Sequence, residues 1–223
     1  MKKIPIVRDG WSIILFFLFL SLTIGICLIQ WKTTVLEILE IICISCLILS
    51  INFFRDPERT PEVLLKSEQL ICPADGVVVG LETIREEYYL RTKMIRISIF
   101  MNLFNNHVQR APYDGRIIAK KYFPGKFLSA FSEKSSLENE QCHLVIQVEA
   151  NKKKKKIVLK QIAGLVARRV VTFPNEGEKI LRGSRIGNIL LGSRVDLFLP
   201  CDVKLQVKLY QKVLAGKTIL GEF

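Results

Sequence analysis

Two histidines and six scattered cysteines are all the metal-binding and redox chemistry that these 223 residues offer. His107 and His143 lie far apart, and Cys27, Cys43, Cys46, Cys72, Cys142 and Cys201 show paired spacing only at Cys43-Ile44-Ser45-Cys46. Neither a metal site nor a disulfide framework is implied. The Cys43–Cys46 pair sits in an apolar run, where burial suppresses the thiolate, so packing is the preferred reading. The Gly-x-Ser-x-Gly elbow of a serine hydrolase is missing, as are internal repeats, nucleic-acid-binding motifs and arrays of stacking aromatics. Acidic residues are scarce too, 21 against 33 basic ones, for a net charge of +12. The hydrophobic share of 49% excludes intrinsic disorder.

The apolar residues are unevenly spread. Gly10 to Trp31 and Ile41 to Phe54 carry no charge, and Trp31-Lys32-Thr33-Thr34 interrupts the first run before Val35 resumes it. The pattern predicts two helices joined by a tight turn, a membrane hairpin over 1–54 that is too long for a signal peptide. Glu37 and Glu40 weaken the second span and leave a shallow interfacial hairpin open. Lys2, Lys3 and Arg8 precede the hairpin and the basic remainder follows it, so the positive-inside rule places that remainder in the cytoplasm, at the inner membrane.

Arg55-Asp56-Pro57-Glu58-Arg59-Thr60-Pro61 opens a connector over 55–68 that cannot continue a helix. The domain expected over 69–223 is mainly β, a compact barrel or sandwich. Strand-like runs recur at 69–72, 77–81, 94–101, 115–123, 143–149, 157–163, 195–199 and 203–210. The last alternates Val203, Leu205, Val207 and Leu209 with polar partners, as an antiparallel strand with one wet face would. Lys152 to Lys156 reads either as a solvated hairpin tip or as a contact for anionic lipid. Phe127-Leu128-Ser129-Ala130-Phe131 must pack inward or dip into lipid.

Pro73-Ala74-Asp75-Gly76 has the residues of a tight turn, and Asp75 could there orient a base. His107, in the polar stretch 105–112, is a loop histidine suited to proton transfer, whereas His143 begins an apolar run and reads as structural. Gly192-Ser193 lies between two strand-like segments and by itself indicates only a bend.

Together these segments resemble a known family. Leu191-Gly192-Ser193 is similar to the self-cleavage motif of the phosphatidylserine decarboxylases. Phe53-Phe54-Arg55-Asp56-Pro57-Glu58-Arg59, Pro73-Ala74-Asp75-Gly76, Asn106-His107-Val108-Gln109-Arg110-Ala111-Pro112 and Ile162-Ala163-Gly164-Leu165-Val166-Ala167-Arg168-Arg169 resemble its short bacterial and archaeal branch, in the same order. The resemblance implies a pyruvoyl group made from Ser193, with serinolysis at Gly192-Ser193 dividing the precursor into 1–192 and 193–223. It implies a phospholipid substrate in the membrane, no metal, no nucleic-acid partner, and catalytic roles for Ser193, His107 and Asp75. Longer relatives carry a second histidine three residues beyond the position of His107, where this chain has Arg110. Either His107 takes the base role, or strain and backbone donors drive cleavage while Arg110 binds phosphate. Arg168 and Arg169 are further phosphate candidates or a solvated pair. The strand periodicity also fits a membrane-anchored β-barrel adaptor without activity, which predicts an intact chain; a homo-oligomer is possible in either case.

Overall fold

The computed structural model describes residues 6–59, 66–126, 138–164, 169–190 and 193–223. Phe127–Phe131, Arg168, Leu191 and Gly192 lie outside the described residues. The chain divides into two compact units, Met1–Glu58 and Arg59–Phe223.

The first unit is the helical hairpin. Helices α1 (Trp11–Trp31) and α2 (Thr34–Phe54) each have 21 residues, about 32 Å of helix, against a hydrocarbon core of about 30 Å. Both are long and apolar enough to cross a membrane. Two of their polar side chains are matched across the hairpin: Ser21 Oγ donates to Glu40 at 2.6 Å, and the Cys43 thiol points at the Phe17 carbonyl at 3.4 Å. Cys43 thus packs between helices. The Val7 amide donates to the Phe54 carbonyl at 2.9 Å and closes the hairpin's base.

The second unit is built of strands β1 (Gln69–Ile71), β2 (Gly76–Arg85), β3 (Lys93–Met101), β4 (Val108–Arg110), β5 (Gly115–Phe123), β6 (Gln141–Ala150) and β7 (Lys153–Ala163). It continues with β8 (Arg169–Thr172), β9 (Lys179–Ile180), β10 (Arg185–Leu190), β11 (Ser193–Pro200), β12 (Lys204–Leu205), β13 (Lys212–Val213) and β14 (Ile219–Glu222). The mainly β domain behind a two-helix hairpin, expected from the sequence, is therefore present. Eight strands form one curled antiparallel sheet in the order β13-β2-β3-β11-β7-β6-β5-β9. Two three-stranded sheets, β4-β10-β8 and β1-β14-β12, complete the unit.

Alternation along the strands sorts side chains between two faces. Val195, Leu197 and Leu199 of β11 join Ile97, Ile99, Leu144, Ile146 and Leu159 in the main core. Phe198 joins Met94, Val145 and Val158 in a smaller cluster on the other face. With both faces covered, β6 reads as a nearly continuous apolar run rather than an alternating one.

Two sequence expectations need correction. Only Lys204 and Leu205 of the run 203–210 pair as strand. Tyr210 takes φ 63° and its amide donates to the Val78 carbonyl, so the chain turns back, with Val203 and Val207 buried and Leu209 exposed. Alternating burial here comes from turns. The lysine run is a tip only at its start: Asn151 and Lys152 (φ 52° and 59°) make the two-residue turn favoured in hairpins, and Lys153–Lys156 continue as strand opposite Ala150–Gln147.

Candidate active site

Ser193 opens β11, a central strand of the large sheet. It faces Met101 of β3 on one side and Ala163 of β7 on the other. Being in phase with Val195 and Leu197, its side chain points to the main core, and the residue is 0% exposed. Its Oγ has no hydrogen-bond partner among the described residues. Gly192, the other half of the expected cleavage site, lies outside them.

His107 arrives from a neighbouring loop. Beyond Met101 the chain turns through 102–107 and enters β4, which pairs with β10 through Val108 and Asn188. The Ile189 amide donates to the His107 carbonyl at 3.3 Å, tying the loop to the strand that runs towards Ser193. The imidazole is buried, with Nδ1 2.9 Å from the Asn105 carbonyl. A carbonyl can only accept, so Nδ1 carries the proton in this contact and Nε2 is the basic nitrogen of the neutral ring.

A chain of buried amides lies beside the loop. Gln109 Nε2 donates to the His107 carbonyl at 2.7 Å and lies 3.9 Å from Met101 Sδ. Gln161 Nε2 donates to Gln109 Oε1 at 2.9 Å, and the Thr172 hydroxyl to Gln161 Oε1. The network needs glycine at 187, where a Cβ would lie 2.5 Å from Gln161 Nε2 and 2.3 Å from the Val171 carbonyl. It joins β4, β7 and β8, and fixes the main chain on which His107 sits.

Asp75 is placed differently from the expected base-orienting role. Its carboxylate accepts from Arg59 Nη2 at 2.7 Å and from the Ala215 amide at 2.7 Å, and no hydrogen bond joins it to His107 among the described residues. The position an orienting carboxylate would occupy, on Nδ1, is taken by the Asn105 carbonyl. The Arg59–Asp75 pair is nearly dry, with side chains 12% and 4% exposed. Removing one partner of such a pair leaves a bare buried charge. Arg59→Ala is therefore expected to destabilise the domain by about 3 kcal/mol, lowering the melting temperature by about 6–12 °C. The double variant Arg59→Ala/Asp75→Asn should recover part of that loss in thermal denaturation.

Arg110 is buried under two turns, donating from Nη1 to the Gly183 carbonyl at 2.9 Å and lying where a Cβ on Gly216 would come within 2.9 Å of its Cδ. Arg169 is exposed and lines a cavity of about 470 Å³ with Lys120, Tyr122, Glu140 and Cys142. Lys120 reaches the Thr172 carbonyl at 3.0 Å, and Glu140 accepts the Val170 amide at 2.9 Å. Sequence reading missed Lys120, Asn105 and the partnership of Arg59; only the spacing of Arg59 in the connector carried any signal.

His143 occupies the opposite face of the sheet, as a structural residue. Nε2 lies 2.8 Å from Gln141 Oε1 and Nδ1 3.2 Å from the Tyr89 hydroxyl, among the rings of Tyr88, Tyr89 and Phe123. Burial first, and the positive charges of Lys160 and Lys121 next, push its pKa down to about 3. The unfolded chain titrates near 6.5, so it binds the extra proton between these values and the folded state does not. The stability contributed by neutral His143 is complete above pH 6.5 and is lost progressively as pH falls towards 3. His143→Phe should flatten that part of the melting-temperature profile measured between pH 4 and 7.

Similarity to known proteins defines the class to which this chain belongs. The model of the phosphatidylserine decarboxylase family matches residues 47–221, and the chain belongs to that family, whose members are carboxy-lyases. Its relatives include phosphatidylserine decarboxylase proenzymes of Geotalea uraniireducens, 39% identical, and Desulfotalea psychrophila, 40% identical, each over 99% of this chain and 97% of the relative. The proenzyme of Cytophaga hutchinsonii is 43% identical over 82% of this chain and 81% of its own.

Proposed function

We propose that the chain is a self-processing precursor that divides at Gly192-Ser193 and then decarboxylates phosphatidylserine to phosphatidylethanolamine and carbon dioxide. The observation that carries this reading is Ser193, a fully buried serine heading a central strand, whose hydroxyl has no partner among the described residues. Leaving a hydroxyl so placed costs about 1–3 kcal/mol, a penalty with no structural return. Family membership and the proenzyme names of the relatives support the same reading.

The residues present suit a pyruvoyl group. Processing would pass Oγ to the carboxylate of Gly192 and leave the Ser193 Cβ as a methyl, better suited than a hydroxyl to a buried position between the core residues Met101 and Ala163. In the proposed step His107 Nε2 accepts the hydroxyl proton, Oγ bonds to the Gly192 carbonyl carbon, and the Gly192–Ser193 C–N bond breaks as that proton passes to the Ser193 nitrogen, leaving an ester and a free amine. Loss of the Ser193 Cα proton then expels the Gly192 carboxylate, and hydrolysis takes up water and releases ammonia. The pyruvoyl carbonyl supplies the electron sink that decarboxylation requires. In this reading His107 also returns a proton to the substrate carbon, its ring held by the Asn105 carbonyl.

Lys120 and Arg169 offer cationic walls for the head-group phosphate, with Arg110 and Arg168 as further candidates. Asp75 holds the 215 turn of the small chain against the large one through Ala215. The hairpin 1–54 anchors the enzyme in the inner membrane, and the connector 55–68 leads to a catalytic domain over 69–223 on the cytoplasmic side, in keeping with Lys2, Lys3 and Arg8 before the first helix.

The test is the intact mass of protein purified from membranes and denatured. Two pieces are expected, 1–192 and 193–223, the second lighter than its encoded sequence by one ammonia and blocked to amino-terminal sequencing. A single unmodified chain from folded, membrane-derived protein would overturn self-processing and return the adaptor reading.

A further inference from the structure

The end of the sheet that holds Ser193 is not the end that carries the lysines. Strand β7 runs over 11 residues from Lys153 to Ala163, about 33 Å of extended chain from first to last, and Ala163 is the residue beside Ser193. The tip at Asn151-Lys152 therefore stands at the far end of the strand.

What projects at the Ser193 end is apolar. Past Met101 the chain turns through 102–105, and three hydrogen bonds staple the turn: the Asn102 amide to Asn105 Oδ1 at 2.8 Å, the Phe104 amide to Asn102 Oδ1 at 2.9 Å, and the Asn105 amide to the Asn102 carbonyl at 3.1 Å. The turn presents Leu103, 37% exposed, and Phe104, 68% exposed, while His107, three residues later, is 2% exposed. One short loop thus carries the histidine of the site inward and two large apolar side chains outward. Because three of its four amides, those of Asn102, Phe104 and Asn105, are satisfied internally, such a turn can enter the interfacial zone of a bilayer with only the Leu103 N–H left to the polar head-group layer. Exposed Arg169, at the end of β8 opposite Leu190, adds a cation suited to anionic head groups.

We propose that Leu103 and Phe104 form a prong that dips into the lipid leaflet and sets the Ser193–His107 end of the domain against the bilayer. The partner is the surface of a membrane containing the anionic substrate. This inference rests on the lipid-decarboxylase reading: a diacyl substrate stays in the leaflet, so the reacting end must come to it. An anchored hairpin keeps the domain near the membrane but leaves open which end faces it, and the prong supplies that choice. The lysine tip faces elsewhere.

The test compares the unmodified chain with Leu103→Ser/Phe104→Ser on two substrates. One is long-chain phosphatidylserine in mixed vesicles with phosphatidylcholine, with the full chain reconstituted into them. The other is dihexanoyl phosphatidylserine below its micellar concentration. The double variant should process fully, turn over the soluble substrate within twofold of the unmodified chain, and lose about tenfold on vesicles. In a Trp11→Phe/Trp31→Phe background, the fluorescence of Phe104→Trp should be quenched by vesicle lipids brominated on their acyl chains. Neutralising Lys152–Lys156 to glutamine should leave vesicle turnover in place.

Full vesicle turnover by the double variant, or Phe104→Trp fluorescence untouched by brominated lipid, would overturn the prong and leave the decarboxylase reading standing. Equal loss on both substrates would assign the loop to the chemistry of His107 instead, and a vesicle defect confined to the lysine variant would reverse the orientation. Failure of the unmodified chain to process or to release carbon dioxide from either substrate would defeat the underlying reading itself.

Discussion

Ser193→Ala is expected to leave one chain of 25.5 kDa, folded and without measurable carbon dioxide release. The loss should be complete because in the proposed mechanism the same atom serves twice: without Oγ there would be no ester, and without the ester no electron sink would form. Stability should move in the opposite sense. Ser193 is wholly buried, and its hydroxyl finds no partner among the described residues. Replacing it by a methyl removes a desolvation penalty of about 1–3 kcal/mol and creates no appreciable cavity. Ser193→Ala should therefore melt at or above the temperature of any other uncleaved form, such as a slow-processing His107 variant. A substitution that abolishes function while raising stability would mark position 193 as one where chemistry overrules packing. A clear fall in melting temperature would show that the hydroxyl is held by the structure and would remove the main support for the proposed role.

His107→Ala carries the second large effect. With Nδ1 on the Asn105 carbonyl, the ring presents Nε2 as its basic nitrogen, and loss of a positioned acid–base group lowers rates by about 10² to 10⁴. Two rates should fall separately. Precursor should persist in pulse-chase gels, because deprotonation of Ser193 has lost its acceptor. The fraction that does mature should turn over slowly, because the protonation step has lost its donor. Added imidazole, small enough to occupy the space vacated by the side chain, should restore part of both. Processing at the unmodified rate would move the base role in cleavage to strain and backbone donors, the alternative that Arg110 at the neighbouring position had kept open. Turnover within threefold of the unmodified chain would remove His107 from catalysis altogether.

The two helices were legible because an uncharged run has few physical alternatives, and most strands of the large sheet were legible because their apolar runs are long. The segment at 203–210 misled because alternating burial is also produced by turns that bring every second residue back to the core. The site was legible only as residue types in order. Nothing near Asp75 in the sequence indicates Ala215, 140 positions away, as the donor to its carboxylate, and the Arg59 pairing depends on how the connector folds back. The carbonyl that fixes His107 is equally invisible, since any residue at position 105 has one. Lys120 entered the cavity through strand register, which a single strand's sequence does not declare.

The position of β11 has a further consequence for the life of the molecule. Residues 193–223 supply the strand between β3 and β7, and also β13 against β2 and β14 against β1. A precursor folds with these pairings as intramolecular events, at the high effective concentration that one chain guarantees. After the proposed division the same pairings would become an association between two molecules, one of them 31 residues long, with no covalent link to hold the register. Maturation would thus make folding a one-way history: the precursor can be unfolded and recovered, whereas the finished enzyme, once melted, has lost the template that built it. Its durability would then be governed by the rate of opening rather than by any equilibrium.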